Sequence, residues 1–470
     1  MAKRFAIVAG GGTAGHVLPA LAVADALVDL GHPAEQVLFV GSRRGQESRL
    51  VPEAGFPVRL LPGRGLLRRM SAANIASGAG LAMAAVMSMS LVRRERPAVV
   101  LAVGGYASLG PSLAAVALRI PLVLLNVDAV PGAANRLLAP FAAASAVAWG
   151  GTALPRATVT GAPLRRELAA LPSLPPSTRR EARRVLGIPE PAKLVLAVGG
   201  SLGSATINTA VARLASLWSD RSDVVVRHVV GSRDWAARPP GPPAGSKLLY
   251  QVVEYERNMA QALAAADLVV ARAGALTVAE LAAAGRPSIL VPLPGAPGDH
   301  QAANAAVLAR VGAAAVLRDQ DCKPERLSVM ADRLLGTPGR LQSMGAAALR
   351  LARPDAADEV GRLVERVALR VAGVVPDERS RLQGRSASWP PPGGEAPTKG
   401  SRSRQALARI CSARRKPLGE RRSREGGTGA AAADGAAADG TAGRVRQMTR
   451  RRKPGGSTQT TSMSEGRSQS

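Results

Sequence analysis

The chain has 470 residues, 46% of them hydrophobic, which is enough to fill two cores and excludes a chain disordered throughout. Aromatic residues make up only 2%, so those cores must be built from Ala, Val and Leu; the two cysteines, Cys322 and Cys411, match no metal or redox spacing and point to a reducing compartment. The formal charge of +28 is spread over the whole chain: residues 376–470 hold 20 Lys/Arg against 8 Asp/Glu, and the remainder 42 against 26.

Met1-Ala2-Lys3-Arg4 runs straight into an apolar segment, Phe5 to Ala9, with no signal-like stretch, so export is not expected. That segment reads as a buried strand. It is followed by Gly10-Gly11-Gly12-Thr13-Ala14-Gly15-His16 and a helix over 17–30, with Val17, Leu21, Ala24 and Val28 on one face and Gly31 as its stop. Further strands are expected at 37–40, 99–103 and 122–125, alternating with helices at 45–54, 71–95 and 111–118, the pattern of a doubly wound parallel sheet. From Met70 to Val92 runs a stretch of 23 uncharged residues between Arg68-Arg69 and Arg93-Arg94. Ser71, Asn74, Ser77, Ser88 and Ser90 make it polar for a membrane span, and we expect a buried or partly surface helix.

A Pro/Arg-rich stretch over 161–190, with Leu171-Pro172-Ser173-Leu174-Pro175-Pro176, reads as inter-domain. The alternation then resumes, with strands at 194–198, 224–230, 248–252, 268–271, 288–291 and 313–317 and a last amphipathic helix over 355–373. These readings divide the chain into domains at 1–160 and 161–375 and a basic, low-complexity tail at 376–470 that cannot bury enough apolar surface to offset its ordering entropy and is expected to be disordered. Nucleic acid is not an expected partner, except through that tail.

Three glycine-rich loops stand out: the first, then Gly104-Gly105-Tyr106, then Gly199-Gly200-Ser201-Leu202-Gly203-Ser204. After a strand and before a helix, such loops are candidate cradles for phosphate or sugar, because glycine admits close approach and the helix start offers unpaired N–H groups. Gly10, Gly12 and Gly15 also satisfy the dinucleotide pattern. The second strand is not followed by the acidic residue that NAD needs; Ser42-Arg43-Arg44 leaves NADP open for this loop taken alone.

The order of motifs is more telling. Gly11 to Pro19, Gly104 to Ser108, Val130-Pro131-Gly132-x-x-Asn135-Arg136, Gly161-Ala162-Pro163-Leu164-Arg165, Gly199 to Ser201, Arg272-Ala273-Gly274-Ala275-Leu276-Thr277-x-x-Glu280 and Asp299-His300-Gln301-x-x-Asn304-Ala305 follow one another along residues 4–370. This series resembles the MurG family of peptidoglycan glycosyltransferases, which move N-acetylglucosamine from UDP-GlcNAc to C4 of the muramoyl sugar of lipid I and so make lipid II. The resemblance implies a GT-B fold, two Rossmann-like domains facing a cleft. It also implies inversion without an essential metal or cofactor, and an acceptor- and membrane-binding N-terminal domain. By the same resemblance the enzyme is peripheral, at the cytoplasmic face of an anionic membrane, where Leu66-Leu67-Arg68-Arg69-Met70 and helix 71–92 would dock.

The resemblance assigns UDP-GlcNAc to Thr13, Gly15, Arg165, Ser201, Glu280, Gln301 and Asn304, and the acceptor side to Gly104, Gly105, Tyr106 and Asn135. Each has a plainer reading: His16 as a capping or packing residue, Thr277-x-x-Glu280 as a capping box, Gln301 and Asn304 as helix-surface amides, Arg165 as a partner of a surface carboxylate. A base must take the acceptor's proton, and His16 has the unperturbed pKa for it. Where the family has His-Glu-Gln-Asn, this chain has Leu125-Asn126-Val127-Asp128, so the family's Glu has no counterpart, and Asp128, in place of the Asn, is the candidate catalytic carboxylate beside His16. Leu202, Ala273 and Ala162 likewise replace hydrogen-bonding Gln, Ser and Asn. Two other readings stay open on sequence: a GT-B glycosyltransferase with another lipid or small-molecule acceptor, and a non-catalytic basic protein with an eroded site.

Overall fold

The structure, a computed structural model, describes residues 4–371 apart from 44, 63–71 and 201. The tail at 376–470, the docking segment 66–70 and Ser201 therefore lie outside the described residues. The N-terminal lobe comprises β1 (Ala6–Ala9), α1 (Ala14–Asp29), β2 (Val37–Ser42), α2 (Glu47–Glu53), β3 (Val58–Leu61), α3 (Ala72–Glu95), β4 (Val99–Ala102), α4 (Leu109–Ala117), β5 (Leu122–Asn126), α5 (Ala133–Leu138), β6 (Ala144–Val147) and β7 (Ala157–Val159). After α6 (Arg166–Ala169) and α7 (Pro176–Leu186) come β8 (Lys193–Val198), α8 (Ala205–Leu217), β9 (Val224–Val229), β10 (Leu249–Val253), α9 (Met259–Ala265), β11 (Leu268–Ala271) and α10 (Ala275–Ala284). The chain closes with β12 (Ser288–Leu290), α11 (His300–Arg310), β13 (Ala314–Val316), α12 (Pro324–Gly336), α13 (Arg340–Leu349) and α14 (Ala356–Val371).

The described strands form two parallel sheets, ordered β3-β2-β1-β4-β5-β6-β7 and β10-β9-β8-β11-β12-β13. Central strands such as Ala6–Ala9, Leu122–Asn126 and Leu268–Ala271 are buried at every position, as a sheet covered by helices on both faces requires. In each sheet the chain winds outward one way and then the other, and the reversal falls between β1 and β4 and between β8 and β11. Beyond the carboxyl ends of those strands is where such sheets leave a crevice for a ligand.

Three strands, β3, β6 and β7, were not expected from sequence. β6 reads Ala-Ser-Ala-Val and β7 only Ala-Thr-Val, too short to signal a strand on their own; β6 forms by pairing with β5, and β7 by pairing with β6. The stretch taken as inter-domain is also more ordered than expected. Pro176 opens α7 at a position that needs no N–H, and Gly187 closes it in the left-handed conformation, φ 66°. Arg183 of α7 is buried and bonds Asp267 and Glu190, so this helix belongs to the C-terminal lobe. The last helix moves the other way: α14 packs on α1, where Gly361 lies against Ala26 and Leu30 and His32 bonds Glu365 at 3.2 Å. Expected to finish the C-terminal domain, it closes the N-terminal one.

Beneath the third glycine loop, strand β9 carries His228, 1% exposed, with Nδ1 2.7 Å from the Tyr250 hydroxyl and Nε2 3.0 Å from Asn208 Oδ1. In the neutral tautomer with Nε2–H both contacts are satisfied. Burial pushes its pKa down from 6.5 to about 4. The unfolded chain thus takes up a proton below about pH 6.5 that the folded chain refuses until about pH 4, so stability is lost as pH falls through that window. We expect this group to remove about 3 kcal/mol between pH 7 and 4. Urea unfolding at both pH values, compared with His228→Gln, checks this; an equal loss in the two proteins rules it out.

Candidate active site

The first glycine turn leaves β1 with φ of 144° at Gly10 and 99° at Gly12, conformations open to glycine alone. Thr13 is the N-cap of α1, which starts three residues earlier than expected and so puts Gly15 and His16 in its first turn. His16 Nδ1 lies 3.2 Å from Thr13 Oγ1, and its ring packs against Gly104, where a Cβ would sit 3.2 Å from Cδ2 and Nε2. The second loop therefore needs glycine to make room for the imidazole. Burial pulls the His16 pKa below its ordinary 6.5, and the positive side of His300 across the cleft adds to that, while Asp128 and Glu47 act in the opposite direction.

The turn was expected to cradle a phosphate or sugar, and one of its N–H groups, that of Gly12, is taken by a side chain of the protein itself. Glu47, 1% exposed, accepts from Gly12 N at 2.8 Å and from Ser42 N at 2.5 Å. A carboxylate beneath the turn also sets a negative charge where a dinucleotide would bring its pyrophosphate, which disfavours the NADP reading. The second loop joins the same cluster through Tyr106, whose hydroxyl donates to Ser42 Oγ at 2.6 Å. Glu47 escaped the sequence reading; its only signal is a lone acid flanked by Gly41 and Gly45 at a strand end.

In the C-terminal lobe the third loop ends on Ser204, which caps α8 by accepting from Ile207 N at 3.4 Å. Leu202, in place of the family's Gln, is 57% exposed on that loop. At the end of β11, Arg272 is buried in an ion pair with Asp319 (2.6 Å) and bonds the Val291 and Pro292 carbonyls. It holds strand ends together and is not offered to the cleft. Helix α10 begins at Ala275 with Gly274 as N-cap and no side-chain cap, so the Thr277–Glu280 capping box does not form. Burial raises Glu280 to about 7, opposed by Arg165 and reinforced by Glu167. Arg165 meets Glu167 at 3.1 Å, but its Nε is buried with no partner among the described residues. A half-paired guanidinium and a carboxylate costly to ionise thus stand together at the lobe junction.

Two amides are placed differently from expectation. Asn304, fully buried, donates to Asp128 Oδ1 at 2.9 Å and Ala273 O at 3.2 Å and accepts from Ala129 N at 2.7 Å. Expected on the GlcNAc, it instead ties the two lobes together, and Asp128, expected as a catalytic carboxylate, is its partner. Asn135, expected on the acceptor side, donates to Leu125 O and Asn126 Oδ1 inside its own lobe. Gln301 stays near the surface, its Oε1 accepting from Leu293 N at 3.0 Å.

The described residues include no group of three or more His, Cys, Asp or Glu that could hold a metal ion, and no helix long and apolar enough to cross a membrane.

Residues 6–147 match the N-terminal domain of glycosyltransferase family 28, and residues 194–360 its C-terminal domain. Two doubly wound lobes carrying those domains make the chain a nucleotide-sugar glycosyltransferase of the GT-B fold. The calicheamicin glycosyltransferase shares that fold at a TM-score of 0.54 and 18% identity. Within the class, a protein of Desulforudis audaxviator is 37% identical over 374 residues, covering 77% of this chain and 98% of its own, and one of Halorhodospira halophila 40% over 368 residues, covering 78% and 99%. Both are named UDP-N-acetylglucosamine–N-acetylmuramyl-(pentapeptide) pyrophosphoryl-undecaprenol N-acetylglucosamine transferase. The crystal structure of Acinetobacter baumannii MurG superposes with a TM-score of 0.63 at 29% identity, covering 78% of this chain and all of that one. The chain belongs to the MurG family.

The contact between Asn304 and Asp128 is open to direct measurement. A cycle of Asn304→Ala, Asp128→Ala and the double variant, read by urea unfolding, should give a coupling of about 0.5–3 kcal/mol, as for residues that touch. Effects that simply add would mean that the two side chains do not meet in solution.

Proposed function

We propose that this chain transfers N-acetylglucosamine from UDP-GlcNAc to the C4 hydroxyl of the muramoyl sugar of lipid I, giving lipid II, with inversion at the anomeric carbon and no metal requirement. The observation that carries this reading is His16. It stands in the first turn of α1 in the N-terminal lobe, its affinity for a proton is lowered by burial, and it feels the charge of both Asp128 in its own lobe and His300 in the other. A neutral imidazole in that place is a competent base for an acceptor hydroxyl. With Nδ1–H donating to Thr13 Oγ1, Nε2 is the nitrogen left to accept the proton. The hydroxyl oxygen then attacks the anomeric carbon, and the bond to UDP breaks on the opposite side. Arg165, with its unpartnered Nε, and the starts of α8 and α10 supply compensation for the departing diphosphate. Glu280, freed from capping, is suited to the ribose hydroxyls, which would donate to it. Gln301 is retained for the sugar; Asn304, occupied by Asp128, Ala129 and Ala273, is not.

An assay of UDP release from UDP-GlcNAc and a lipid I analogue tests the whole reading. His16→Ala should lower turnover by roughly 10²–10⁴-fold with UDP-GlcNAc affinity unchanged, and the wild-type rate should hold its plateau to below pH 6.5 because the base stays neutral there. Glu280→Ala should weaken UDP-GlcNAc binding by about 1.5–3 kcal/mol in calorimetry. A fall of less than tenfold for the first, or unchanged affinity for the second, removes that residue from its role.

The lipid-linked acceptor implies peripheral binding at the cytoplasmic membrane face. What supports it in this chain is an apolar surface on α3 and α4: Met83, Val86 and Leu113 are 56%, 68% and 45% exposed, with Arg93 and Arg94 ending α3. A cavity of about 190 Å³ lined by Leu61, Pro62, Ala84, Leu109 and Pro111 opens beside them. A chain ending at Val375 should sediment with anionic vesicles, less so in high salt and less so after Met83→Ser with Val86→Ser. Loss of all binding on removal of the tail would transfer that role to residues 376–470.

A further inference from the structure

The carboxylate under the first glycine turn is not among the residues that the family resemblance assigns to donor or acceptor. Glu47 sits where three chain segments meet. It accepts from Gly12 N on the first turn and from Ser42 N at the end of β2, and Ser42 in turn receives the Tyr106 hydroxyl from the second glycine loop. The surroundings are built to admit it: a Cβ on Gly11, Gly41 or Gly45 would collide with its side chain. The side chain thus fills the space that a Cβ on any of these three glycines would need. The same turn carries Thr13 and begins α1, so whatever fixes Gly12 fixes the start of the helix on which His16 stands.

We propose that Glu47 is a positioning residue, whose buried carboxylate sets the shape of the first glycine turn and thereby the place of His16 in the cleft. The proposal rests on the reading of His16 as the base. Its second effect is electrostatic. The charged and titratable groups that act on His16 are Asp128 from the segment after β5, Glu47 from α2 and His300 from the start of α11, and of these Glu47 and Asp128 favour the protonated imidazole. Glu47 thus offsets part of the desolvation that burial imposes and keeps the imidazole basic enough to take a proton while leaving it neutral near pH 7.

Glu47→Gln preserves size but turns one acceptor into an NH₂ that faces a backbone N–H, and it deletes the charge. Two readouts are taken on the full chain: steady-state turnover with UDP-GlcNAc and a lipid I analogue, and the titration of the His16 imidazole by NMR without substrates. We expect kcat to fall tenfold or more with KM for UDP-GlcNAc within about twofold, since the donor lobe is untouched, and the imidazole midpoint to move to lower pH. Unchanged turnover together with an unmoved midpoint overturns the proposal, as does a fall in turnover with an unmoved midpoint, which a merely structural residue would give. A moved midpoint with unchanged turnover upholds the link from Glu47 to His16 and instead sinks His16 as the base. If the Gln variant does not fold, Glu47→Asp keeps the charge but shortens the reach by one methylene. Turnover should then fall tenfold with the midpoint closer to wild type, and wild-type turnover overturns the proposal.

Discussion

A parallel sheet buried on both faces can meet a ligand only at its ends, and this constraint governs the whole molecule. Helices cover the faces of both sheets, so the chain must make its chemistry from the turns that follow the strands. Where the winding reverses, two neighbouring turns diverge and leave a gap: the first and second glycine loops after β1 and β4, and the third loop and the Gly274 turn after β8 and β11. Every residue assigned to the reaction lies on one of these turns or on a helix directly after the sheet edge. The exposed remainder of the surface is free to serve other ends, such as the apolar side of α3.

The two gaps are electrically unlike. The N-terminal one has a carboxylate of its own beneath it, bonded to the Gly12 and Ser42 N–H groups, and carries an imidazole made hard to protonate. The C-terminal one keeps an open guanidinium edge on Arg165 beside a carboxylate that burial makes hard to ionise. In the proposed reaction a dianionic leaving group suits the second and a neutral sugar hydroxyl the first. This division follows from where the chain spends its acidic side chains.

Much of this was legible in the sequence and some was not, for physical reasons. Long apolar runs such as Phe5–Ala9 and Leu194–Val198 announce buried strands, and the glycine turns after them announce the ligand ends, so the fold class and most elements could be read. Ala-Ser-Ala-Val carries no strand signal of its own, and β6 exists because β5 offers it a partner. Local patterns also mislead about side chains. Thr277-x-x-Glu280 has the spacing of a capping box, but the helix starts one turn earlier at Gly274. Asn304 lies beside Gln301 on paper, but the packing of the lobes carries it to Asp128, a residue 176 positions away. Glu47 hides because its role is defined by glycines whose spacing follows no recognised motif.

The route of the backbone between the lobes has a mechanical consequence. The chain passes from one lobe to the other near Gly161 and returns near Arg353 before α14 docks on α1, and the two passages touch: Gly161 takes a positive φ of 86° and leaves no space for a Cβ beside Arg353 and Ala356. Two connections pressed together behave as one pivot, like the rivet of a pair of tongs. A rotation about it would move the cleft rims most and the crossing least, and would strain the bond from Asn304 to Asp128 as it changed the spacing between His16 and the donor lobe.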